Sequence, residues 1–363
     1  MKYKYLNVIG LMSGTSIDGI DISYVQTNGQ KLKRLNSNVF YEYSSKSKNF
    51  LENILNTNFS LNLKRKKILD DFITKEHYQA LNDLDILKSC ELIGFHGQTL
   101  YHDPIKRTSV QLGNPQLLSK LLKKNVVFDF RSNDIKMGGQ GAPLAPIYHK
   151  QIIEEAGLEL PSCIINIGGV ANITFWDGES LLGFDTGPGN ALMDDLMKNT
   201  SKNYFDDKGY LASKGLPDNQ LVNRFLNQSY FHTNPPKSLD RNFFRTTYNE
   251  VKNLNLSVQD KMSTLSALTV ESIVLAIEQF PKKIKNVLIT GGGKNNDHLM
   301  KNLQEKLMLK FITERDLNIN FDFIEAELIA FLSARSVYNL PFTFPSTTGV
   351  SIPSSGGKLY KYL

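Results

Sequence analysis

The sequence predicts an α/β protein built from two domains, and three observations support this prediction. The chain has 363 residues, more than the roughly 250–300 residues at which a single hydrophobic core stops growing. Apolar strands alternate with helical segments in both halves, as they do in α/β domains. A strand, a Gly-containing loop and a returning strand occur near the start and again from residue 164. We therefore predict a duplicated pair of domains whose Gly loops face a ligand cleft.

The first domain is predicted to span residues 1–137. A period of two predicts three strands at its start, and Asn28-Gly29 supplies a hairpin turn between two of them. In order, we expect strands at residues 8–12, 20–24 and near 39–43, two helices within 46–90, strands at 92–95 and 109–112, a helix at 115–124 and a strand at 126–130. Antiparallel strands followed by alternating helices and strands predict a mixed sheet.

The second domain is predicted to span residues 138–363, to begin at a hinge in the glycine-rich segment 138–143, and to return its last residues to the first domain. In order, we expect a helix near 145–155, strands at 164–167, 173–176 and 181–184, a helix from 191, a long helix at 258–279, a strand at 285–290 and a last amphipathic helix near 325–338. The strand, loop and strand order of the first domain is thereby repeated.

The composition is that of an ordinary globular protein. Apolar residues make up 41% and charged residues 21% of the chain. The net charge of +6 is scattered, so no nucleic-acid patch is predicted, and no apolar run reaches the roughly 18 residues that span a membrane. Cys90 and Cys163 lie far apart and form neither a disulfide framework nor a metal site. We predict a cytoplasmic protein without nucleic-acid or membrane partners.

The loop after the first strand is the most informative segment. Residues 13–21 (SGTSIDGID) supply backbone N–H groups, hydroxyls and two acids. Gly14 and Gly19 let the backbone approach an anion and turn its N–H groups inward, as a phosphate site requires. In isolation the segment favours a simple β-hairpin, whereas the later motifs favour the phosphate site.

A second glycine cluster, Gly291-Gly292-Gly293, follows a predicted buried strand. Two of its glycines fit the dinucleotide fingerprint, but Asn296 occupies the third glycine position, so the fingerprint fails. The P-loop and protein-kinase signatures are absent. Bare backbone at a strand end lets a flat ligand such as adenine lie against it, and a tight turn is the alternative.

Several titratable residues have both a functional and a structural interpretation. Asp185 follows a predicted strand, where α/β sheets place reactive groups, although Asp also forms turns and caps. His96 follows a strand and precedes a glycine, so it either points into the cleft or is structural. Glu325 and Glu327 begin an apolar helix, whose dipole they would complement. The histidines show no metal-ligand spacing, and a serine-hydrolase elbow is absent.

Nine segments extend these motifs along nearly the whole chain. They are residues 10–21 (GLMSGTSIDGID), 95–99 (FHGQT), 111–115 (QLGNP), 129–131 (DFR), Asp134, 138–144 (GGQGAPL), 166–169 (NIGG), 184–190 (FDTGPGN) and 287–293 (VLITGGG). In this order they resemble the 1,6-anhydro-N-acetylmuramate kinase family.

The resemblance implies the fold of sugar kinases, actin and heat-shock chaperone ATPases, in which two duplicated ribonuclease H-like domains close on ATP. It also implies a dual reaction. The enzyme hydrolyses the intramolecular 1,6-anhydro bond and phosphorylates O6 with ATP, giving N-acetylmuramate 6-phosphate and ADP in peptidoglycan recycling. A homodimer is implied as well.

The resemblance also implies residue roles. Asp185 would be the catalytic base, and His96, Arg131 and Glu325 would contact the sugar, with Glu327 as the alternative to Glu325. The implied nucleotide loops are a first phosphate loop, a second phosphate loop and an adenosine loop, formed in turn by Gly14, Thr15, Ser16, Ile17, Asp18, Gly19, Ile20 and Asp21, by Gly168 and Gly169, and by Gly291, Gly292 and Gly293. Asp18 or Asp21 would hold Mg²⁺ through water, because this ion usually keeps several waters.

Two other functions stay open. An ordinary amino-sugar kinase would phosphorylate a free hydroxyl, and Asp185 would then deprotonate the sugar rather than water. An actin-like, nucleotide-gated binding protein belongs to a different class. The sugar-directed group His96, Arg131 and Asp185 speaks against it, because a filament would not need these residues.

Overall fold

A computed structural model of the chain describes residues 3–14, 17–56, 63–103, 106–201, 204–239 and 241–362. The chain divides into two compact units. Unit 1 comprises Met1–Leu144, Phe323–Pro345 and Gly349–Leu363, and unit 2 comprises Ala145–Asp322 and Ser346–Thr348. Unit 1 therefore extends past residue 137, where the sequence placed the domain boundary, and takes up chain again from Phe323.

The elements are numbered in chain order. The strands are β1 (Leu6–Ser13), β2 (Gly19–Thr27), β3 (Leu32–Glu42), β4 (Leu92–Asp103), β5 (Thr108–Leu112), β6 (Asn125–Phe128), β7 (Ser162–Ile167), β8 (Val170–Trp176), β9 (Leu181–Pro188), β10 (Asn286–Thr290), β11 (Phe311–Ile312) and β12 (Lys358–Tyr360). The α-helices are α1 (Ser45–Asn56), α2 (Leu63–Asn82), α3 (Ile86–Ser89), α4 (Pro115–Leu122), α5 (Ser132–Lys136), α6 (Pro146–Glu155), α7 (Ala191–Thr200), α8 (Asn219–Leu226), α9 (Ser229–His232), α10 (Arg245–Asn253), α11 (Val258–Glu278), α12 (Asp297–Leu307), α13 (Glu314–Leu317), α14 (Ile324–Val337) and α15 (Pro345–Thr348).

The two units contain sheets of the same topology. In unit 1 the order is β12-β6-β4-β1-β2-β3, and β5 pairs with β4. In unit 2 the order is β11-β10-β7-β8-β9. In each sheet the first three strands of the unit are antiparallel neighbours. Two later strands continue the sheet in parallel from the first, β4 and β6 in unit 1 and β10 and β11 in unit 2. The predicted α/β class and its duplication are therefore confirmed.

The last long helix differs from its prediction. The sequence analysis expects an amphipathic helix, yet every residue of α14 from 326 to 335 is buried. The helix packs against β1, β2 and β4 of unit 1. It lies so close to the sheet that a Cβ atom added at Gly10 would be 1.9 Å from the carbonyl oxygen of Ala326. The prediction of an amphipathic helix is wrong because ten consecutive residues, which cover every side of the helix, are buried.

Other corrections concern element boundaries. The segment predicted to hold two helices contains α1, α2 and the short α3, and β4 extends through the His96 motif to Asp103. Among the described residues, every helix is too short or too polar to traverse a lipid bilayer.

Three histidines are buried, with His77 and His96 in unit 1 and His149 in unit 2. Burial lowers the pKa of His77 to about 4 and the pKa values of His96 and His149 to about 3. Burial opposes protonation because a charged imidazolium is poorly solvated away from water. All three are therefore neutral in the folded protein at pH 7.

Mild acid is expected to destabilise the fold. Between pH 6.5 and 4 the unfolded chain protonates these histidines while the folded chain does not, so the free energy of unfolding falls as the pH falls. Each histidine contributes at most about 1.4 kcal/mol per pH unit. Urea unfolding at pH 7, 6 and 5 measures the slope. His149→Gln should reduce this dependence of the free energy of unfolding on pH. His232→Gln, at an exposed position, is the control and should leave it unchanged. A free energy of unfolding that stays constant from pH 7 to 5 would contradict the prediction.

Candidate active site

The start of the first predicted phosphate loop is held by a buried glutamine. Gln98 of β4 accepts a hydrogen bond from Ser13 Oγ at 2.6 Å and donates one to the carbonyl oxygen of Gly14 at 3.1 Å. Thr15 and Ser16 lie outside the described residues. Gln98 therefore ties the end of β1 to β4. The sequence analysis gave this residue no role, although a glutamine inside a buried strand is a usable signal.

The rest of the loop turns the chain into β2. The side chains of Ile17 and Ile20 are buried in the core of unit 1, so only their backbone is available to a nucleotide. Asp18 is exposed, and its Oδ1 accepts the N–H of Gly19 at 3.0 Å. A Cβ atom at Gly19 would lie 2.3 Å from the carbonyl oxygen of Tyr41. Gly19 is thus required by the contact with β3.

The two acids of this loop differ in their suitability for Mg²⁺. Asp18 is exposed, whereas Asp21 lies inside β2, paired with Met12. Among the described residues, no group of three His, Cys, Asp or Glu could hold a metal ion. A single exposed carboxylate fits Mg²⁺ only in the mode this ion uses with nucleotides, where waters and phosphates complete the coordination.

His96 and Arg131 are brought together in unit 1. His96 Nδ1 lies 2.9 Å from the carbonyl oxygen of Gly97 and must carry the proton, because a carbonyl only accepts. His96 Nε2 then accepts from Arg131 Nη2 at 3.1 Å, while Arg131 Nη1 donates to the carbonyl oxygen of Gly141 at 2.7 Å. Burial, together with the positive Arg131, lowers the pKa of His96 to about 3. His96 is a neutral acceptor that orients the guanidinium.

Asp134 fixes the turn that carries the Gly141 carbonyl oxygen. It is buried, and its Oδ2 accepts the N–H of Gly141 at 2.7 Å, while its carbonyl oxygen accepts the N–H of Gly139 at 2.8 Å. The segment predicted to be a hinge is therefore a turn tied to α5 within unit 1. The turn holds the Gly141 carbonyl that anchors Arg131.

Glu325 and Glu327 differ sharply in environment. Glu327 is 1% exposed, and both of its carboxylate oxygens lie 3.1 Å from Nε of Arg34. Glu325 is exposed in the first turn of α14. Glu327 is thus committed to a buried ion pair, and Glu325 is the more accessible carboxylate.

The second predicted phosphate loop is a tight hairpin in unit 2. Gly168 and Gly169 alone separate β7 from β8. Their carbonyl oxygens accept the N–H groups of Asn190 at 2.7 Å and Gly189 at 3.0 Å. The hairpin is therefore fixed against the start of α7. A Cβ atom added at Gly168 would have no neighbour closer than 3.6 Å.

The three glycines after β10 are not equivalent. A Cβ atom at Gly291 would lie 2.3 Å from Asn166 Oδ1, and one at Gly293 would lie 2.4 Å from the side chain of Ile167. At Gly292 the nearest atom would be 3.7 Å away. Gly291 and Gly293 are therefore required by the packing against β7, and only Gly292 has an open face.

The sequence analysis placed Asp185 just after a strand, whereas in the structure it lies inside β9. It is 8% exposed. Its N–H donates to the carbonyl oxygen of Lys237 at 3.1 Å, its carbonyl oxygen accepts from the Tyr230 hydroxyl at 2.6 Å, and its Oδ2 accepts the N–H of Leu239 at 2.8 Å. Residues 230–239 thus hold both the backbone and the carboxylate of Asp185.

This supporting segment is itself anchored by a buried lysine. Lys237 Nζ donates to the carbonyl oxygens of Tyr230 and Phe231 at 3.0 and 3.3 Å and to Gln279 Oε1 at 3.3 Å. Burial lowers the pKa of Lys237 to about 8, and burial together with the charge of Asp185 raises the pKa of Tyr230. The sequence analysis gave Lys237 no role, because the Pro-Pro pair at 235–236 indicates only a loop.

Comparison with known proteins covers nearly the whole chain. The family model described as anhydro-N-acetylmuramic acid kinase matches residues 6–362. An anhydro-N-acetylmuramic acid kinase of Zymomonas mobilis is 37% identical, over 97% of this chain and 99% of its own. One of Nitrobacter winogradskyi is 35% identical, over 97% of this chain and 98% of its own.

Solved structures are more distant. The activator of the 2-hydroxyisocaproyl-CoA dehydratase from Clostridium difficile, with bound ADPNP, covers 92% of this chain and 97% of its own with a TM-score of 0.41 and 11% identity. The Acidaminococcus fermentans (R)-2-hydroxyglutaryl-CoA dehydratase component A covers 92% of this chain and 99% of its own, with a TM-score of 0.43 and 10% identity. Similarity at this level adds nothing to the assignment, which rests on the full-length sequence matches. The chain belongs to the anhydro-N-acetylmuramic acid kinase family.

Proposed function

We propose that this protein is an ATP-dependent kinase that opens the ring of 1,6-anhydro-N-acetylmuramic acid and phosphorylates O6. The products are N-acetylmuramate 6-phosphate and ADP, and the reaction serves peptidoglycan recycling. Full-length membership of the kinase family supports the assignment most strongly. The enzyme class is a phosphotransferase with an alcohol group as acceptor.

Asp185 acts as the base in this proposal. It takes a proton from water as the water oxygen bonds to the anomeric carbon, and the bond from that carbon to O6 breaks. An inverting glycosidase uses a second carboxyl group to protonate its leaving oxygen. Here O6 takes the γ-phosphoryl group instead, so one carboxylate suffices. The Leu239 N–H donates to the carboxylate and fixes its orientation.

Arg131, His96 and Glu325 are the proposed sugar contacts. The guanidinium of Arg131 is held by a neutral imidazole and a carbonyl oxygen, and a fixed guanidinium suits a carboxylate such as that of the lactyl group. His96 then serves the sugar through Arg131. Glu325 is preferred to Glu327 because the latter is bound to Arg34.

The nucleotide contacts are assigned to the backbone around Gly14, Gly168 and Gly292. Backbone N–H groups neutralise phosphate charge, and bound Mg²⁺, placed at Asp18 through water, supplies further charge neutralisation. A homodimer and a cytoplasmic location stay predictions. Sedimentation with ATP tests the first, and ATP-dependent polymerisation would favour the actin-like alternative.

The open face of Gly292 leads to a prediction about ATP. Gly292→Ala should fold normally and raise the KM for ATP, on the order of tenfold, because its new methyl group occupies space assigned to adenosine. Gly293→Ala should instead lower the melting temperature, since its methyl group overlaps Ile167. Steady-state kinetics and thermal unfolding distinguish the two variants. An unchanged KM in folded Gly292→Ala would count against the adenosine assignment.

Turnover of ATP with three sugars tests the proposed function. We expect ADP formation with anhydro-N-acetylmuramic acid to exceed that with free N-acetylmuramate or N-acetylglucosamine. Faster turnover of a free sugar would favour the ordinary amino-sugar kinase, because such an enzyme needs no ring opening.

A further inference from the structure

A row of polar side chains crosses the sheet of unit 2 and ends at Asp185. Thr290 of β10 pairs with Asn166 of β7, Asn166 pairs with Asn172 of β8, and Asn172 pairs with Asp185 of β9. Residues paired directly across antiparallel strands lie on the same face, with Cβ atoms about 4.5–5.5 Å apart. The amide of Asn172 is therefore the cross-strand neighbour of the Asp185 carboxylate.

Two buried polar atoms beside Asp185 make no hydrogen bond within the described part of the chain. They are Asn172 Oδ1 and Ser238 Oγ. Ser238 stands between Lys237, whose carbonyl oxygen accepts the Asp185 N–H, and Leu239, whose N–H donates to the Asp185 carboxylate. One such atom thus comes from the sheet and the other from the supporting segment.

An unsatisfied buried polar atom destabilises the folded state, so each of these two atoms requires a partner that the described part of the chain does not supply. Water suits this pair because Asn172 Oδ1 only accepts, whereas a hydroxyl both donates and accepts. Asp185, which pairs with Asn172 and is hydrogen-bonded to the residues on either side of Ser238, requires a water under the proposed function.

We infer that Asn172 and Ser238 hold the water molecule that Asp185 activates. The inference rests on the proposed function. One O–H of the water donates to the Asp185 carboxylate and the other donates to Asn172 Oδ1. The Ser238 hydroxyl donates to one lone pair of the water, and the second lone pair remains for the anomeric carbon.

Each bond that forms in the proposed step is matched by a bond that breaks. The water oxygen forms its bond to the anomeric carbon, its proton moves to Asp185, and the electron pair of the broken bond stays on O6, which takes the γ-phosphoryl group from ATP as ADP leaves. An amide oxygen does not accept a proton at neutral pH. Asn172 therefore orients the water, and Asp185 alone serves as base.

Asn172→Leu and Ser238→Ala test the inference. Each should lower kcat for anhydro-N-acetylmuramic acid, on the order of 10²-fold, because misplacing a reactant by about 1 Å has this effect. The KM for ATP should stay within about twofold of wild type. Ser266→Ala is the matched control, since Ser266 Oγ on α11 is also buried without a hydrogen bond among the described residues and has no assigned role.

Asn172→Asp provides a readout that a purely structural role would not change. It places a second carboxylate beside Asp185, and like charges disfavour ionisation. The acidic limb of the kcat–pH profile should therefore move to higher pH. This shift is measurable even where the Leu variant is poorly folded.

Three results separate the possibilities. If Asn172→Leu and Ser238→Ala match Ser266→Ala in kcat, and Asn172→Asp keeps the wild-type pH profile, the inference is overturned while the proposed function stands. Wild-type protein that leaves the anhydro ring closed overturns both. Reduced kcat in both variants with the shifted profile in Asn172→Asp supports the water site.

Discussion

Replacing Asp185 by Asn should abolish ring opening and phosphorylation together while ATP still binds. The amide oxygen of Asn can accept the Leu239 N–H as the carboxylate does, but it cannot take a proton from water. The backbone contacts to Lys237 and Tyr230 do not involve the side chain, so its position is kept. Positioned base catalysis is worth about 10²–10⁴-fold, and kcat should fall by this factor. Calorimetric titration with ATP should give an unchanged affinity.

Labelled water identifies what Asp185 deprotonates. In ¹⁸O-labelled water the wild-type enzyme should place the label on the anomeric oxygen and none in the phosphate. Sugar phosphorylation by Asp185→Asn with the anhydro ring intact would show that Asp185 is not the base for water. Absence of label from the anomeric position would lead to the same conclusion.

Replacing Gly10 by Ala should have the largest effect on stability. The new methyl group would lie 1.9 Å from the Ala326 carbonyl oxygen, and a backbone atom in a buried helix cannot move aside cheaply. We expect a loss of about 3 kcal/mol or more, which lowers the melting temperature by roughly 6–12 °C for a unit of this size. Thermal unfolding followed by circular dichroism measures it.

Gly168→Ala is the control for this prediction, because its methyl group would have no neighbour closer than 3.6 Å. It should melt close to the wild-type temperature. A Gly10→Ala protein that melts with the wild type would mean that α14 does not require the bare backbone of β1.

The sequence predicted the fold class because strand periodicity is local. The repeated strand, loop and strand order was visible in both halves, and both sheets confirm it. The burial of α14 was not predictable, because β1, β2 and β4, against which it packs, end at or before Asp103, far from the helix in the chain. A helix that is apolar on most sides can be recognised as buried only when its partners are known.

In the candidate site, too, residue types were predictable from the sequence, whereas contacts between distant segments were not. Asp185, Arg131 and His96 were selected by motif and residue type, and their roles stay predictions. The hydrogen bonds from Tyr230 and Leu239 to Asp185 come from a segment 45 or more residues later in the chain, so the sequence around Asp185 does not indicate them. The pairing of Asn172 with Asp185 depends on strand register. The alternation of apolar residues indicates which face of a strand is buried, but it does not determine which residues of two strands are paired.

The placement of α14 sets the order in which the protein can fold during synthesis. Unit 1 combines residues before position 145 with a helix that starts at Ile324. At about 5–20 residues per second, the ribosome takes roughly 10–35 s to make residues 145–322. Throughout that interval the sheet of unit 1 lacks the helix that covers it, and the last strand of unit 2, β11, is complete at residue 312, before α14 is made. Unit 2 can therefore pair all of its strands before unit 1 receives its last long helix, and we expect a fragment ending at Leu144 to expose the apolar sheet face that α14 buries.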